Sequence, residues 1–181
     1  MVDKDYLADP DQVELIPGVA DSLKLARKAG YKLVIVSNQS GVARGLFDIA
    51  AVERVNARLL ETLMAQGVQI DGIYYCPYLP DGSVREYCRE SPLRKPSPGM
   101  AEDAALSLGL DLRHSVVIGD KLSDLQLGRV IGGRSMLVRT GYGAETETRM
   151  KELGDGCKVY DSLVEAIDQL AGKAISHKSQ S

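Results

Sequence analysis

The sequence is sparing in cysteine, and it has neither a long apolar run nor a strong excess of charge of one sign. Its three cysteines are Cys76, Cys88 and Cys157, an odd and sparse set that argues against a disulfide framework. No apolar run approaches the roughly 20 residues that a membrane-spanning helix needs. The net charge of −3 gives no general attraction to nucleic acid. We therefore expect neither a membrane nor a nucleic acid as a partner.

Two signatures of nucleotide binding are also missing, a Gly-x-x-x-x-Gly-Lys-Ser/Thr loop and a Gly-x-Gly-x-x-Gly segment after a strand. The first residues are acidic and polar and do not resemble a signal peptide, so we expect a cytoplasmic protein. A length of 181 residues suits one domain. We place that domain at residues 1–173, followed by a polar tail at 174–181, and we expect a monomer.

What the sequence does contain is an alternation of short apolar runs with segments of helical spacing. Strands are predicted at 32–36, 73–76, 116–118 and 136–139 and around Val159, with a long proline-containing loop at 77–98. Helices are predicted at 17–28, from the N-cap Asp48 to Gly67, at 99–108, from the N-cap Ser123 to Gly132, at 146–153 and around 163–170. This alternation predicts an α/β fold with a doubly wound, mostly parallel sheet covered by helices on both faces.

Polar residues follow two of these strands, where ligands bind in such sheets. The run Ser-Asn-Gln-Ser-Gly at 37–41 offers hydroxyls, amides and backbone N–H groups that can surround phosphate oxygens. Asp120 follows the 116–118 strand and suits a hard cation, and Arg94 and Lys95 between them can bind a phosphoryl group. Each feature alone is also typical of an ordinary turn or surface pair. Together they suit a phosphate with a magnesium ion.

The order of these motifs resembles that of the haloacid dehalogenase-type phosphatases. The sequence reads Ser-Asn-Gln-Ser-Gly-x-Ala-Arg-Gly, then Tyr-Tyr-Cys-Pro, then Arg-Lys-Pro-x-Pro-Gly-Met, then Gly-Asp-Lys-x-x-Asp. It is most similar to the D-glycero-D-manno-heptose 1,7-bisphosphate phosphatases and the related histidinol-phosphate phosphatases, from about residue 2 to residue 170. The resemblance implies a Mg²⁺-dependent phosphomonoesterase. Its substrate would be a phosphorylated sugar, foremost the 7-phosphate of the heptose bisphosphate, with histidinol phosphate as the alternative.

The resemblance also implies roles for individual residues. Ser37 matches the hydroxyl that stabilises the transferring phosphoryl group, and Lys95 matches the lysine that balances the charge of phosphate and nucleophile. Asp120 matches a magnesium ligand. Positions that match substrate contacts are Asp3, Tyr6, Asn38, Gln39, Ser40, Arg94 and Lys121.

One family motif is not found in the sequence: an apolar strand that ends in Asp-x-Asp-Gly and carries the nucleophile and the acid/base. Asp3 and Asp5 have the spacing of its two aspartates, but no strand precedes them and Tyr6 stands in place of the glycine. In the family this strand lies between the strands predicted here at 32–36 and 116–118. We therefore expect the chain as written to be N-terminally incomplete and inactive. The alternative is a non-catalytic remnant that binds phosphosugars.

Many relatives in this family hold a structural zinc ion with three cysteines and a histidine in the loop before Arg-Lys-Pro. Cys76 matches the first ligand, but Tyr78, Ser91 and Leu93 stand at the other three positions. Four suitable ligands are not available, so we expect no tetrahedral zinc site.

Overall fold

The computed structural model describes residues 6–152 and 156–178 and consists of alternating strands and helices. The strands are β1 (Val34–Asn38), β2 (Gly72–Cys76), β3 (Val116–Gly119), β4 (Arg134–Val138) and β5 (Lys158–Tyr160). The helices are α1 (Val19–Lys28), α2 (Ser40–Ala43), α3 (Ile49–Ala65), α4 (Gly99–Leu108), α5 (Leu122–Val130), α6 (Gly143–Glu152) and α7 (Leu163–Lys178), with short 3₁₀ turns at Pro10–Gln12 and Leu112–His114. In the described part of the chain, no helix is long and apolar enough to cross a membrane.

Helix ends follow local side-chain chemistry, with one difference from the prediction. The carboxylate of Asp48 accepts a hydrogen bond from the Ala51 N–H at 2.7 Å, so the predicted N-cap of α3 is confirmed. Ser123 is not the N-cap of α5, because that helix already begins at Leu122. The Asp124 carboxylate reaches back to the N–H of Lys121 at 3.0 Å and satisfies the helix end instead.

Several further boundaries differ from the predictions. β1 begins at Val34 rather than at residue 32, because the N–H of Leu33 bonds the Asp71 carboxylate at 2.8 Å instead of entering the sheet. β1 also continues through Asn38, beyond the predicted end at residue 36, so Ser37 lies within the strand and not after it. The end of the polar run at 37–41 is helical, because α2 begins at Ser40. At the other end of the chain, α7 continues through Lys178, beyond the predicted start of the polar tail.

The strands form two parallel ladders. One sheet contains β1 and β2, with Val36 opposite Tyr74, and the other has the order β3-β4-β5. Among the described residues, no ladder joins β1 to β3. In the described part of the chain, β1 and β3 therefore do not pair directly.

The two sheets nevertheless belong to one layer with helices on both faces. On one face, Val36 of β1 and Val117 of β3 pack against the same apolar cluster, formed by Ala101 of α4 and by Leu127 and Ile131 of α5. On the other face, α7 covers β3, β4 and β5 through a cluster that contains Met136, Val138, Tyr160, Ala166 and Leu170. α1 packs along α7, and Ser22 Oγ donates to Asp168 Oδ1 at 3.3 Å. This three-layer arrangement is the predicted doubly wound α/β fold.

Candidate active site

The carboxyl end of β1 is fixed to the loop that carries Lys95. The side chain of Asn38 donates from Nδ2 to the Lys95 carbonyl at 3.0 Å and accepts at Oδ1 from the Lys95 N–H at 2.9 Å. This pair of bonds holds the loop against the strand over 57 residues of sequence. Asn38 thus positions Lys95 in this structure, and its predicted contact with substrate stays a prediction.

The Lys95 side chain spans from β1 to α5. Its Nζ donates to the carbonyl of Val36 at 2.7 Å and lies 2.7 Å from Asp124 Oδ1. The two side chains are only 11% and 8% exposed, so this is a nearly buried ion pair. An ammonium group has three N–H donors, and these two contacts leave one of them for a ligand. The sequence placed Lys95 in the site but did not predict its pairing with Asp124.

Ser37 follows Val36, the residue whose carbonyl accepts from Lys95. Its Oγ accepts a hydrogen bond from Gln39 Nε2 at 3.1 Å. Because a hydroxyl both donates and accepts, Ser37 keeps its own hydrogen for an anion. Gln39 thereby orients the hydroxyl, which is a role that the sequence did not predict for it.

Ser40 begins helix α2, whose other three residues are buried. A Cβ atom on the next residue, Gly41, would lie 2.2 Å from the ring of Phe47, so a larger residue fits there only if the Phe47 ring moves. The charged residue of the motif, Arg44, is exposed at the C-cap of α2.

Asp120 and Lys121 follow β3 and are fixed to the start of α6. Asp120 Oδ2 accepts from the Tyr142 N–H at 3.0 Å, and the Asp120 carbonyl accepts from Thr146 Oγ1 at 2.7 Å. Lys121 Nζ lies 4.1 Å from the centre of the Tyr142 ring. The Lys121 N–H also bonds Asp124, which pairs with Lys95. The turn after β3 is therefore linked to the end of β1 through Asp124 and Lys95.

The loop at 77–98 is organised by aromatic and arginine side chains. Arg94 Nη1 donates to the Tyr78 carbonyl at 3.1 Å, and the Arg89 guanidinium lies 4.0 Å above the Tyr78 ring. Tyr78 and Tyr87 pack with ring centres 6.1 Å apart. Tyr78 thus connects both arginines and a second ring. Composition gave no sign of this cluster, although all four residues lie in the predicted loop.

Two sulfur atoms, one at the end of β2 and one in this loop, contact backbone carbonyls. Cys76 is buried, with its Sγ 3.9 Å from the Tyr78 carbonyl oxygen, and the exposed Cys88 has its Sγ 3.1 Å from that of Pro80. Ser91 is buried, and its Oγ accepts from the Leu93 N–H at 3.2 Å. In the described ranges, no group of three or more His, Cys, Asp or Glu side chains is placed to hold a metal ion. The expectation of no zinc site stays a prediction.

A magnesium ion would find one suitable carboxylate here. Mg²⁺ in phosphate-processing sites is bound through one or two carboxylates together with phosphate oxygens and water. Asp120 fits one such ligand, since its Oδ1 is left for a cation when Oδ2 accepts from Tyr142. Asp124 is already paired with Lys95. The described residues thus supply part of a magnesium site.

Two further predicted substrate contacts are at the N-terminus. Tyr6 is 52% exposed and has a positive φ of 36°, and its contact with substrate stays a prediction. Asp3 lies outside the described residues.

Known proteins resemble this chain along most of its length. A family model described as polynucleotide kinase 3 phosphatase matches residues 4–127, and one described as HAD-hydrolase-like matches residues 92–166. The D-glycero-beta-D-manno-heptose-1,7-bisphosphate 7-phosphatase of Photorhabdus laumondii is 41% identical over 147 residues, which are 81% of this chain and 78% of that protein. The protein of that name from Mesorhizobium japonicum is 38% identical over 170 residues, 93% of this chain and 78% of its own.

The solved structure of a heptose bisphosphate phosphatase is also similar to this chain. The D,D-heptose 1,7-bisphosphate phosphatase of B. bronchiseptica, complexed with magnesium and phosphate, superposes with a TM-score of 0.79 at 32% identity. The superposition covers 92% of this chain and 89% of that one.

Proposed function

This chain belongs to the haloacid dehalogenase-like phosphatases, in the family of the D-glycero-beta-D-manno-heptose-1,7-bisphosphate 7-phosphatases, and from this membership we propose its substrate and the roles of its residues. The reaction is hydrolysis of a phosphate monoester, and the substrate is a heptose 1,7-bisphosphate that loses its 7-phosphate. The relatives named above carry that activity in their names. Histidinol phosphate, the alternative from the sequence, has no comparable support, and neither has a non-catalytic remnant.

The observation that carries this proposal is the position of Lys95. The Lys95 ammonium is nearly buried and fixed between the Val36 carbonyl of β1 and Asp124 of α5, and Ser37 follows Val36 in the same strand. These two side chains would form an anion site at the carboxyl edge of the sheet. Lys95 would balance the charge of the phosphoryl group as it is transferred, and Ser37 would donate to one of its oxygens. A fixed cation costs no reorganisation during the reaction.

Asp120 would hold magnesium through its free oxygen, and the bound ion would neutralise charge on the phosphate. The hydrogen bond from the Tyr142 N–H to Asp120 Oδ2 keeps this carboxylate close to α6. The chain's own contribution here is therefore a carboxylate whose direction is fixed by a backbone hydrogen bond.

The second phosphate and the sugar hydroxyls would be bound by residues around the 77–98 loop. Arg94 donates from Nη1 to the Tyr78 carbonyl. The other N–H groups of its planar guanidinium would bind an anion. Lys121, exposed beside Tyr142, offers a second positive charge at the same edge. Gln39, Ser40, Asp3 and Tyr6 are the further substrate contacts that we propose.

The nucleophile must be a carboxylate next to Lys95. Asp124 is already paired with that lysine and Asp120 bonds Tyr142, so neither is placed to attack phosphorus. We propose that this carboxylate stands at the end of a strand between β1 and β3, and that the 181 residues alone lack phosphatase activity.

The test of the substrate uses the full chain extended at its N-terminus by an apolar strand ending in Asp-x-Asp-Gly. Phosphate release from the heptose bisphosphate is compared with release from histidinol phosphate, and ³¹P NMR identifies the phosphate that is lost. We expect kcat/KM to favour the heptose bisphosphate by at least about 100-fold, or about 2.7 kcal/mol, with loss of the 7-phosphate. Equal or reversed preference would contradict the assigned substrate.

A further inference from the structure

A cavity of about 330 Å³ lies at the amino ends of β4 and β5, where both strands meet helix α7. Residues from these three elements line it, among them Arg134 and Met136 of β4, Lys158 and Tyr160 of β5 and Leu170 of α7. The candidate active site is at the opposite, carboxyl edge of the sheet. The described residues that line the cavity include neither Lys95 nor Asp120.

The strand register explains why two cations meet at this cavity. Arg134 and Met136 are two residues apart in β4, so their side chains leave the same face of the sheet. Met136 is opposite Lys158 in the parallel ladder, which places Lys158 on that face as well. Neighbouring strands are about 4.8 Å apart and two residues advance about 6.6 Å, so the Cα atoms of Arg134 and Lys158 should be about 8 Å apart. Two long side chains at that separation can reach one anion.

The face that carries these cations is the one covered by α7. Met136 and Tyr160 pack in the apolar cluster that includes Leu170 of α7. The intervening side chain of β4 points to the other face, since Ser135 Oγ donates to the Leu125 carbonyl of α5 at 2.7 Å. Met136, Tyr160 and Leu170 are buried and line the cavity, so its inner wall is apolar.

The rim of the cavity is positively charged. Arg134 and Lys158 are exposed, and within the described ranges neither side chain forms an ion pair. Arg129, near the end of α5, also lines the cavity. The described residues of the wall include no Asp or Glu. A negative charge on a ligand is therefore favoured at the rim.

We propose that this cavity binds a small organic anion, whose carboxylate contacts Arg134 and Lys158 and whose apolar part lies against Met136, Tyr160 and Leu170. The planar guanidinium suits a carboxylate through two parallel N–H bonds, and the ammonium adds a point charge. Apolar ligand surface on the inner wall is removed from water, which favours binding. This inference does not rest on the proposed phosphatase activity.

The size of the cavity limits the ligand. Its volume is at the lower end of the range of about 300–1,000 Å³ that is typical of small-molecule pockets. One ring with a short acidic side chain is of suitable size. A suitable probe is therefore 3-phenylpropionate, which carries a carboxylate two carbons from an apolar ring.

The experiment records methyl NMR spectra of the full 181-residue chain with ¹³C-methyl-labelled methionine while 3-phenylpropionate is added. We expect a saturable shift of the Met136 methyl signal, with a Kd of about 1 mM or tighter. The Met136→Leu variant identifies that signal. The signal of Met100, which is buried in α4 away from the cavity, should not move and reports that the chain stays folded.

Two further ligands separate the contribution of charge from that of apolar contact. 3-Phenylpropanol keeps the ring but has no charge, and it should bind at least about tenfold more weakly. Acetate keeps the charge but has no ring, and it should give no saturable shift at the same concentrations.

Variants of the rim test which cations hold the carboxylate. Arg134→Gln and Lys158→Gln should each weaken binding of 3-phenylpropionate at least about threefold, and the double variant at least about tenfold. Arg58→Gln is the matched control, because it removes the same charge from an exposed side chain of α3. This control should change the Kd by less than about twofold.

The proposal is overturned by any of three results. These are no saturable Met136 shift with 3-phenylpropionate, equal affinity for 3-phenylpropanol, and equal affinity of the natural chain and the Arg134→Gln, Lys158→Gln double variant. No phosphate ester is used, and the changed residues lie at the edge of the sheet opposite Lys95. Failure here would therefore leave the proposed phosphatase activity untouched.

Discussion

Lys95 Nζ lies 2.7 Å from Asp124 Oδ1, and this nearly buried ion pair joins the loop after β2 to the helix after β3. The same ammonium bonds the backbone of β1 through the Val36 carbonyl. One side chain therefore connects both halves of the sheet at the edge where we place the chemistry.

Removing one member of this pair should destabilise the protein more than removing a surface pair. Asp124→Asn leaves the Lys95 charge nearly buried without its partner, and we expect a loss of about 3 kcal/mol in the free energy of unfolding. Urea denaturation measures this loss. Asp21→Asn is the matched control, since its pair with Lys24 is exposed and such pairs contribute about 0–1 kcal/mol. Equal losses in the two variants would show that the Lys95 pair is not desolvated.

Asp71 should contribute to acid sensitivity. Burial opposes ionisation of its carboxyl, but hydrogen bonds from the Leu33 N–H, Lys32 and Arg27 outweigh it and hold the pKa below the ordinary 3.8. The folded state therefore takes up this proton less readily than the unfolded state. Its stabilising contribution is complete above the unfolded pKa and is lost as the pH falls through the lower folded pKa.

The measurement for Asp71 is the free energy of unfolding of the natural chain and of Asp71→Asn across pH. The difference between the two should stay constant above about pH 5 and shrink below about pH 4. Parallel curves down to pH 3 would contradict the lowered pKa.

Gly41→Ala should disturb the turn after β1. Its added Cβ would approach the Phe47 ring at 2.2 Å, and such overpacking costs about 1–3 kcal/mol. Gly172→Ala in α7 is the control, because nothing lies within 4 Å of its added Cβ, and replacing glycine in a helix by alanine stabilises by about 0.5–1 kcal/mol. We expect the midpoint temperature of thermal unfolding to fall for Gly41→Ala and to rise for Gly172→Ala. A stable Gly41→Ala variant would show that Phe47 moves freely.

A chelator strong enough to remove zinc should leave the 77–98 loop intact. The loop is held by Tyr78, which contacts Arg89, Arg94 and Tyr87. We expect the proteolytic cleavage rate of the loop to be unchanged by chelator and raised by Tyr78→Ala. Faster cleavage with chelator alone would show that a metal ion holds this loop.

The sequence predicted the elements of this fold well where local chemistry decides them. The N-cap at Asp48 and the bounds of α4 at 99–108 agree with the structure. The prediction was wrong where a contact with a residue distant in sequence decides the strand boundary. Leu33 leaves the sheet because Asp71 takes its N–H, a contact over 38 residues of sequence.

The same contrast between local sequence and distant contacts holds for the candidate site. The motifs at 37–41, 94–95 and 119–121 identified candidate residues near the carboxyl ends of β1 and β3, and the roles of these residues stay predictions. The motifs could not predict that Asn38 would bond the Lys95 backbone or that Asp124 would pair with Lys95. Such pairings depend on how the loop at 77–98 folds back, and hydrophobic periodicity carries no information about that path.

The most direct measurement is phosphate release from the heptose bisphosphate, with magnesium, by four proteins. They are the 181-residue chain, the same chain extended by an apolar strand ending in Asp-x-Asp-Gly, the extended chain with its first Asp changed to Asn, and the extended chain with Lys95→Met. We predict turnover in the range of about 1–1000 s⁻¹ for the Asp-x-Asp-Gly extension, a loss of at least about 100-fold in kcat for Lys95→Met, and no turnover for the other two. Turnover at that rate by the 181-residue chain alone, or by the Lys95→Met variant, would contradict the placement of the nucleophile beside Lys95 between β1 and β3.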